Sequence, residues 1–570
     1  MTNKDVANAL EDVAKVKKAK GANKFSIGAY KKAAMMISNL AMPVTELDID
    51  NTKGIGDKIA AHIKEYLATG KIQFVQDNLS CLNADQKIEE LLKIEGIGDK
   101  TALKIYETLH ISTIAELKKA VEDGRINQVL KEKGIENLKR GIEYLETTRG
   151  RIRLDEGLAI GIQIHSYIKS LLLPISRIEF GGSLRRSKET IGDIDIALEV
   201  KSFDDADLIF TTLIKGQINK PSPIDKFIDK GDKKMSVWIK GVKVDFYLFT
   251  RDIFESGLMH LTGNAEHNKQ LRILAIQRGY ILSQYGIYKR GPNDEKEGDR
   301  LDDGTEVGIY KMLGLQFVPP EHREASREFI QYTLQYIAFQ LIKESDVTFD
   351  LHTHSNFSDG SSSIEDMIKH AISLGLRGIA ITDHSQSLKI AKGLSVEKLQ
   401  EKKAEIIRLR KEYPQLKILY GTECDIHGDG TLDYPDDVLR EFDIVIASIH
   451  SPIKTDVTEI YKSAIRTGRV HIIGHITGRL INSRAEHICN YDEILEQCAR
   501  YNVAVELNAQ PNRLDANEYL LQRCKVYGVK VAIGSDAHEK NQMIYIKTFG
   551  LWTAKRGWLT KDDLLESTVV

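Results

Sequence analysis

The stretch Gly181–Leu198, GGSLRRSKETIGDIDIAL, sets a Gly-Gly-Ser turn and two arginines directly upstream of two aspartates one residue apart. On a β-strand successive side chains alternate faces, so Asp193 and Asp195 point one way while Ile194 and Ile196 point the other. Carboxylates held this close repel each other unless divalent cations lie between them, and Mg²⁺ shared with substrate phosphates suits such a pair. A third carboxylate is therefore expected, and Asp245 in VKVDFYLF supplies it, with Val244 and Phe246 on either side facing a core. A phosphate-holding turn ahead of clustered acids is the equipment of phosphoryl transfer. There, paired metals clamp the attacking and leaving oxygens while backbone N–H groups and a guanidinium neutralise the phosphates. Out of context the three would be ordinary strand-edge acids; the Gly-Ser and Arg-Arg ahead of them favour a metal site.

A second constellation fills the C-terminal part. The short apolar runs VTFDLHTHS, GIAITDHS, KILYGTECD, DIVIASIHS, VHIIGH, VAVELNA and VKVAIGSDAH each finish on His, Asp, Glu or Asn. They alternate with helix-like segments, which implies parallel strands in βα units, and a barrel of such units gathers its strand C-termini at one mouth. His352, His354, Asp359, His384, Glu423, His450, His475, Asp536 and His538 would meet there. One histidine at a strand end is more often a plain hydrogen-bonding residue than a ligand. Repetition at equivalent positions reverses that reading, and so many imidazoles suit Zn²⁺, Mn²⁺ or Fe better than Mg²⁺ alone. His370, His427, His471 and His487 fall outside the pattern and are read as ordinary polar residues.

The elements that must position these groups follow from the rest of the chain. Its 570 residues, 42% hydrophobic and 28% charged, imply several domains with ample core. No apolar run has membrane-spanning length, and the start, MTNKDVANALEDVAKVKK, lacks the hydrophobic region of a signal peptide, so a cytoplasmic protein without a membrane partner is expected. The five cysteines form no Cys-x-x-Cys pair and are read as free thiols. A net charge of −2 excludes a uniformly basic coat, so any nucleic-acid grip must be local. Such a grip is visible within residues 1–150, read as short helices, in the near-repeat KGIGDKIAAHI (Lys53–Ile63) and EGIGDKTALKI (Glu95–Ile105). Gly-Ile-Gly between two amphipathic helices turns the backbone tightly and leaves the first-turn N–H groups of the second helix outward, ready for phosphate. The pair resembles the helix-hairpin-helix motif, which grips the DNA backbone without reading sequence, and Gly54, Gly56, Lys58, Gly96, Gly98 and Lys100 are its expected DNA contacts. A stretch at 133–146, KGIENLKRGIEYLE, lacks the second glycine and is read as structural.

Gly182, Ser183, Arg186, Gly192, Asp193, Asp195 and Asp245 together fit the nucleotidyltransferase motif of family X DNA polymerases, which the chain resembles. The resemblance implies that Asp193 and Asp195 bind both metals. It makes Asp245 a ligand of the catalytic metal that helps activate the primer 3′-OH, and Ser183 and Arg186 holders of triphosphate oxygens. Farther on, HLTGN matches in position the family's Tyr-Phe-Thr-Gly-Ser segment: Thr262 and Gly263 are kept, and Asn268 and Arg272 match the residues that meet the nascent base pair and template. His260 and Leu261 replace two aromatics beside the incoming sugar; His260 taken alone reads as a polar residue at a turn. The segments GAYKKAA (Gly28–Ala34) and GIGDKIAAHIKEYLATGKI (Gly54–Ile72) are similar to the small N-terminal domain of DNA polymerase beta. At its Schiff-base lysine position, however, stands His62, and Phe25 and Ser26 occupy the nearby phosphate-pocket positions. An imidazole cannot form the imine, so lyase activity is not expected, although Lys58 and Tyr30 remain for a weaker 5′-phosphate contact. The C-terminal signature HxHxxxxD, TDH, Glu, SIH, GH and DxH is similar to the PHP (polymerase and histidinol phosphatase) domain, which implies three metals, Mn²⁺ or Zn²⁺, that serve phosphoester cleavage, with Glu423 spanning two.

The expected architecture is multidomain. An all-α helix-hairpin-helix domain covers 1–150, an α+β palm with a thumb-like subdomain 151–322, a linker helix 323–345 and an α/β PHP barrel 346–570. The expected activity is gap-filling DNA synthesis in repair, on gapped or nicked duplex with deoxynucleoside triphosphates, by a monomer that carries its own 3′-5′ exonuclease or abasic-site phosphodiesterase. Two rivals remain. A small-molecule phosphatase of histidinol-phosphate type would have no use for paired DNA grips, and an idle DNA-binding scaffold would have no use for three intact acids.

Overall fold

The computed structural model describes residues 3–19, 24–38, 44–47, 49, 52, 55–77, 88, 90–94, 97–132, 134–136, 138–139, 141–142, 150–333, 340–451, 453 and 455–565. The chain divides into two compact units, Met1–Arg149 and Gly150–Val570. Among the described residues no helix is long and apolar enough to cross a membrane.

The first unit is helical and holds two apolar clusters. Helices Asn3–Ala19, Lys24–Ser38 and Asp57–Thr69 bury Leu10, Ile37 and Ile63 in one of them. Helices Asp99–Leu109 and Ile114–Glu122 bury Ile105 and Leu117 in the other. Helical spacing of these apolar residues is what leaves one face of each helix for the core and the other for solvent.

After the short strand Ile152–Arg153 and a helix, the second unit forms a five-stranded sheet of β1 (Ile175–Phe180), β2 (Asp193–Val200), β3 (Lys226–Lys230), β4 (Lys234–Ile239) and β5 (Val242–Thr250), in the order β1-β2-β5-β4-β3. Only β2 and β5 run parallel, and their register sets Asp195 beside Asp245. Ile194, Ile196, Val244 and Phe246 join one core with Ile160, Ile164, Ile209 and Phe210 from the helices Leu154–Ser170 and Ala206–Lys215. The acids are thereby left on the opposite face. Helices Phe254–Thr262, Ala265–Gln277 and Glu306–Met312 and a three-stranded antiparallel sheet follow.

The linker helix expected over 323–345 is much shorter: the only α-helix among its described residues is Glu328–Gln331, while 334–339 lie outside the described residues. Arg323 is fully buried against Glu306 at 2.9 Å, and Glu328 is buried against His267 at 2.9 Å. Charges in a core must be paired, and both partners sit on the preceding thumb-like elements, so this segment is docked there rather than spanning free between two bodies.

The C-terminal half is a nearly closed barrel of seven parallel strands, β6 (Phe349–Asp350), β7 (Gly378–Ile381), β8 (Lys417–Asp425), β9 (Ile444–Ser448), β10 (Ile472–Ile473), β11 (Ala504–Asn508) and β12 (Val531–Gly534), in sequence order. The Leu351 N–H donates to the Ile533 carbonyl at 3.2 Å and draws the first and last strands together. Leu351, Ala380, Leu419, Ile446, Ile472, Ala504 and Ala532 form one buried cluster inside it, and a larger cluster joins the strands to the surrounding helices. Ile481, Leu514 and Phe549 of the barrel domain also belong to the core of the five-stranded sheet, so the two share apolar surface.

Candidate active sites

Three acids meet on the face of β2 and β5 opposite the sheet's apolar core, Asp193 and Asp195 half-buried and Asp245 buried. Asp195 is pushed up to about 7, first by burial and then by repulsion from Asp193 and Asp245. For Asp245 burial opposes charge, but Lys234 and Lys243, at 2.8 and 2.9 Å from its Oδ2, together with Ser236 outweigh it and hold the carboxyl below its ordinary range. The other Asp245 oxygen, Oδ1, is buried without a hydrogen-bond partner, as is the Ser183 hydroxyl. Like-charged groups gathered around an orphaned acceptor fit divalent cations. Gly182 has a φ of +57° and a Cβ there would collide with Asp195 Oδ2, so only glycine lets the turn lie against the acids. Gly192 leaves room for Arg151, whose guanidinium donates to the Thr190 hydroxyl at 2.8 Å.

The residues expected at the nucleotide lie together on the adjoining helices. Arg186 donates to the Thr262 carbonyl at 2.7 Å and pairs with Glu324 at 2.9 Å. Asn268 donates to the His260 carbonyl at 2.7 Å, and its Oδ1 lies where a side chain at Gly263 would have to go. Arg272 is exposed on the same helix. His260 and Leu261 are in the last turn of helix Phe254–Thr262 and not at a loop turn, because the chain leaves the helix only at Gly263, whose backbone is extended.

At the barrel mouth the other set converges. His352 and His354 follow β6, His384 follows β7, Glu423 lies two residues before the end of β8, His450 follows β9, His475 follows β10, and Asp536 and His538 follow β12. Three groups bring ligand atoms within 4.8 Å of one another: His354, Asp359, His384 and His538; His352, His354 and Asp536; and His384, Glu423 and His450. Glu423 is the hub, its oxygens lying 2.9 Å from His384 Nδ1, 2.9 Å from His475 Nε2, 3.3 Å from His450 Nε2 and 3.4 Å from His352 Nε2. His384 Nδ1 makes no hydrogen bond despite that proximity, and His354 Nδ1 and His475 Nδ1 are likewise buried without partners. Burial above all pushes His354 down to about 4 and His475 down to about 3, which keeps both neutral with lone pairs free. Against burial, carboxylates draw His450 up to about 10 and His538 up to about 9, and buried acids crowded with imidazoles, several ring nitrogens among them unpartnered, fit metal ions between them.

In the first unit, Gly56 and Gly98 are the extended N-caps of helices Asp57–Thr69 and Asp99–Leu109. Neither helix start has a side-chain cap, and a Cβ at either glycine would meet nothing within 4 Å. Open space before uncapped first-turn N–H groups, with Lys58 and Lys100 exposed beside them, fits a phosphate backbone. Gly54 and Gly96 lie outside the described residues. The His62 ring accepts or donates a hydrogen bond with the Tyr30 hydroxyl at 3.1 Å and stacks near Phe74; of Phe25 only the backbone is described.

Comparison with known proteins matches four segments to family models: a helix-hairpin-helix domain over 1–72, a SAM-like helix-hairpin-helix tandem over 88–143, the DNA polymerase beta thumb over 257–324 and the PHP domain over 350–510. The DNA polymerase/3′-5′ exonuclease PolX of Bacillus subtilis is 34% identical over 100% of this chain and 98% of its own length. The chain belongs to the family X DNA polymerases that carry a PHP domain. DNA polymerase lambda of Arabidopsis thaliana is 26% identical over 56% of this chain and 62% of its own, and a probable phosphatase of Caldicellulosiruptor bescii is 30% identical over 34% of this chain and 80% of its own.

Several supporting residues of this family X chain escape a reading of motifs. Glu506 on β11 accepts from the His475 N–H and lies against His352 Nδ1, both at 2.6 Å, and Asp425 lies 2.7 Å from His450 Nδ1. Asp425 ends β8 and Glu506 lies at the centre of β11, and both orient the imidazoles from behind. Lys402 is fully buried and pairs with Asp383 at 2.9 Å, while Asp383 also accepts from Ser355 and Ser358; a helix lysine gives no sequence sign of such a role. Arg185 pairs with Glu306 at 2.8 Å and with the Thr262 hydroxyl at 2.7 Å. Burial opposes ionisation of Glu306, yet Arg323 and Arg185 hold it down to about 2.

Proposed function

We propose that this protein is a DNA-directed DNA polymerase that fills short gaps during repair and that removes 3′-terminal nucleotides, or cleaves at abasic sites, with its barrel domain. The observation that carries the reading is that one chain holds both sets of groups complete: three acids beside a glycine-bound phosphate turn, and nine ligands at the barrel mouth. Asp193, Asp195 and Asp245 would hold Mg²⁺. His352, His354, Glu423 and Asp536, then His384, His450 and His475 with Glu423, and Asp359 with His384 and His538 would hold three ions, Mn²⁺ or Zn²⁺. Bound metals would supply Lewis-acid activation and charge neutralisation at both places.

The chain's own residues do the rest. The Gly182 turn, Ser183 and Arg186 receive the triphosphate, and Thr262, Gly263, Asn268 and Arg272 flank the incoming nucleotide and template. Asp245, held ionised by Lys234 and Lys243, is the group assigned to activate the primer 3′-OH. The two hairpins grip backbone phosphates through Gly56, Lys58, Gly98 and Lys100, which places sequence choice with base pairing and not with the protein. The enzyme acts as a cytoplasmic monomer on gapped or nicked duplex. The test is one gapped, 3′-labelled duplex with Mg²⁺ or Mn²⁺: the labelled strand should lengthen with nucleotides and shorten without them. No lengthening would overturn the polymerase assignment, and no shortening the nuclease assignment.

A further inference from the structure

Arg556 is the last residue of helix Phe549–Arg556 in the barrel domain, and its side chain is only 3% exposed. Its guanidinium reaches beyond the barrel. One nitrogen, Nη1, donates to the carbonyl of Arg186 at 2.8 Å, to the carbonyl of Glu321 at 3.2 Å and to the carboxylate of Glu324 at 3.2 Å. Glu324 in turn holds the Arg186 guanidinium at 2.9 Å and accepts from Asn264 at 3.1 Å. Behind Arg556, Glu518 takes the remaining donors through a short ion pair and also holds Lys188 at 3.0 Å, on the far side of the same phosphate turn. Burial disfavours charge on Glu324, and Arg556, Lys188 and Arg186 outweigh it. The helix that presents Arg556 is anchored twice over, since Leu551 and Ala554 pack in the barrel core and Phe549 in the core of the five-stranded sheet.

We propose that Arg556 is a positioning residue for DNA synthesis: from the barrel domain it fixes the backbone of Arg186 and the orientation of Glu324, so that the Arg186 guanidinium is presented to the incoming triphosphate. The proposal rests on the polymerase reading given above. Its chemical content is a relay of two contacts. Glu324 competes with a triphosphate for Arg186, and Arg556 shares Glu324's charge, so the carboxylate can release Arg186 to the nucleotide without being left buried and unpaired. Glu518 and Lys188 close the loop and keep the turn from drifting once Arg186 changes partner.

The experiment uses the full chain on gapped duplex, with Arg556→Ala, Arg556→Lys, Glu518→Gln and, as reference, Arg186→Ala. Arg556→Ala should raise the KM for nucleotide about tenfold, the scale of a lost charged hydrogen bond. Its affinity for gapped DNA and its rate of 3′-end removal should stay within about twofold of wild type. Arg556→Lys, which keeps the charge but not the fork, should recover part of the loss, and Glu518→Gln, on a more exposed residue, should show a smaller shift of the same kind. Combining Arg556→Ala with Arg186→Ala should add little to the reference variant, since both act on one contact. Unchanged KM in a variant that melts like wild type would overturn the proposal. Equal loss of extension and 3′-end removal with a lowered Tm would overturn it as well, by showing a structural role only. Failure of the underlying reading looks different: wild type would not extend, or Arg186→Ala would leave KM untouched.

Discussion

Asp195 lies beside two other carboxylates, and the folded protein resists its charge through burial and through their repulsion. Its carboxyl is raised from 3.8 to about 7, so the metal-free fold binds a proton that the unfolded chain releases. Stability from this group is therefore complete below pH 3.8 and is lost as the pH rises through about 7. Asp195→Asn removes that penalty. In chelator the variant should melt higher than wild type at pH 8 and alike at pH 4, while nucleotide addition with Mg²⁺ falls on the order of 10³-fold or more. An unchanged melting curve at pH 8 would mean that the three acids do not strain one another. Asp193→Ala should abolish addition in the same way and leave DNA binding largely intact, because it removes no phosphate-gripping amide; substantial extension by the purified variant would sink the metal assignment.

The two hairpin helices make a different kind of statement, about grip and not chemistry. Replacing Lys58 and Lys100 together by alanine should weaken binding about equally across sequences, with each lost lysine lowering the slope of log affinity against log salt by about one. Anisotropy titrations at several salt concentrations check this, and a sequence-selective loss would contradict it. The first unit should also give little or no borohydride-trapped product on an abasic site, since His62 is engaged with Tyr30 and offers no amine. Trapping that disappears in Lys58→Ala would show that another lysine has taken the role. At this scale much of the molecule was legible. The barrel strands announced themselves because each apolar run closes on polar or charged residues, and β2 and β5 because isoleucine or valine alternates with charged residues. What was not legible depends on contacts distant in the chain. The parallel pairing that sets Asp195 beside Asp245 joins strands with two others between them in sequence, and the helix expected over 323–345 gave way to buried pairs of Arg323 with Glu306 and Glu328 with His267. A helical spacing of apolar residues carries no sign of such partners.

Across the whole molecule the two chemistries share apolar surface and ion pairs but no ligand. Barrel residues reach the segments flanking the five-stranded sheet through Arg556, through Arg479, which pairs with Glu189 at 2.7 Å, and through Asn482, which donates to the Arg151 carbonyl at 2.9 Å. None of these three is a ligand at the barrel mouth, so emptying that mouth should leave the polymerase supports in place. His352→Ala with His354→Ala is therefore expected to eliminate 3′-end or abasic-site cleavage and to keep extension near wild type. Cleavage by the intact protein, after chelation, should return more fully with Mn²⁺ than with Mg²⁺, because a histidine-rich site favours a nitrogen-tolerant ion. The double variant carries a structural cost: it leaves Glu506, which faces His352 at 2.6 Å, and Glu423 buried with fewer partners. Asp359→Asn, at a residue 28% exposed, tests the same mouth with little of that cost, and a thermal melt of each variant separates lost ligands from a loosened barrel. Well-folded variants that still cleave at full rate would show the nuclease to lie elsewhere. Variants that lose cleavage and extension in parallel, without a change in Tm, would show that the barrel's ligands reach the polymerase site through contacts other than Arg479, Asn482 and Arg556.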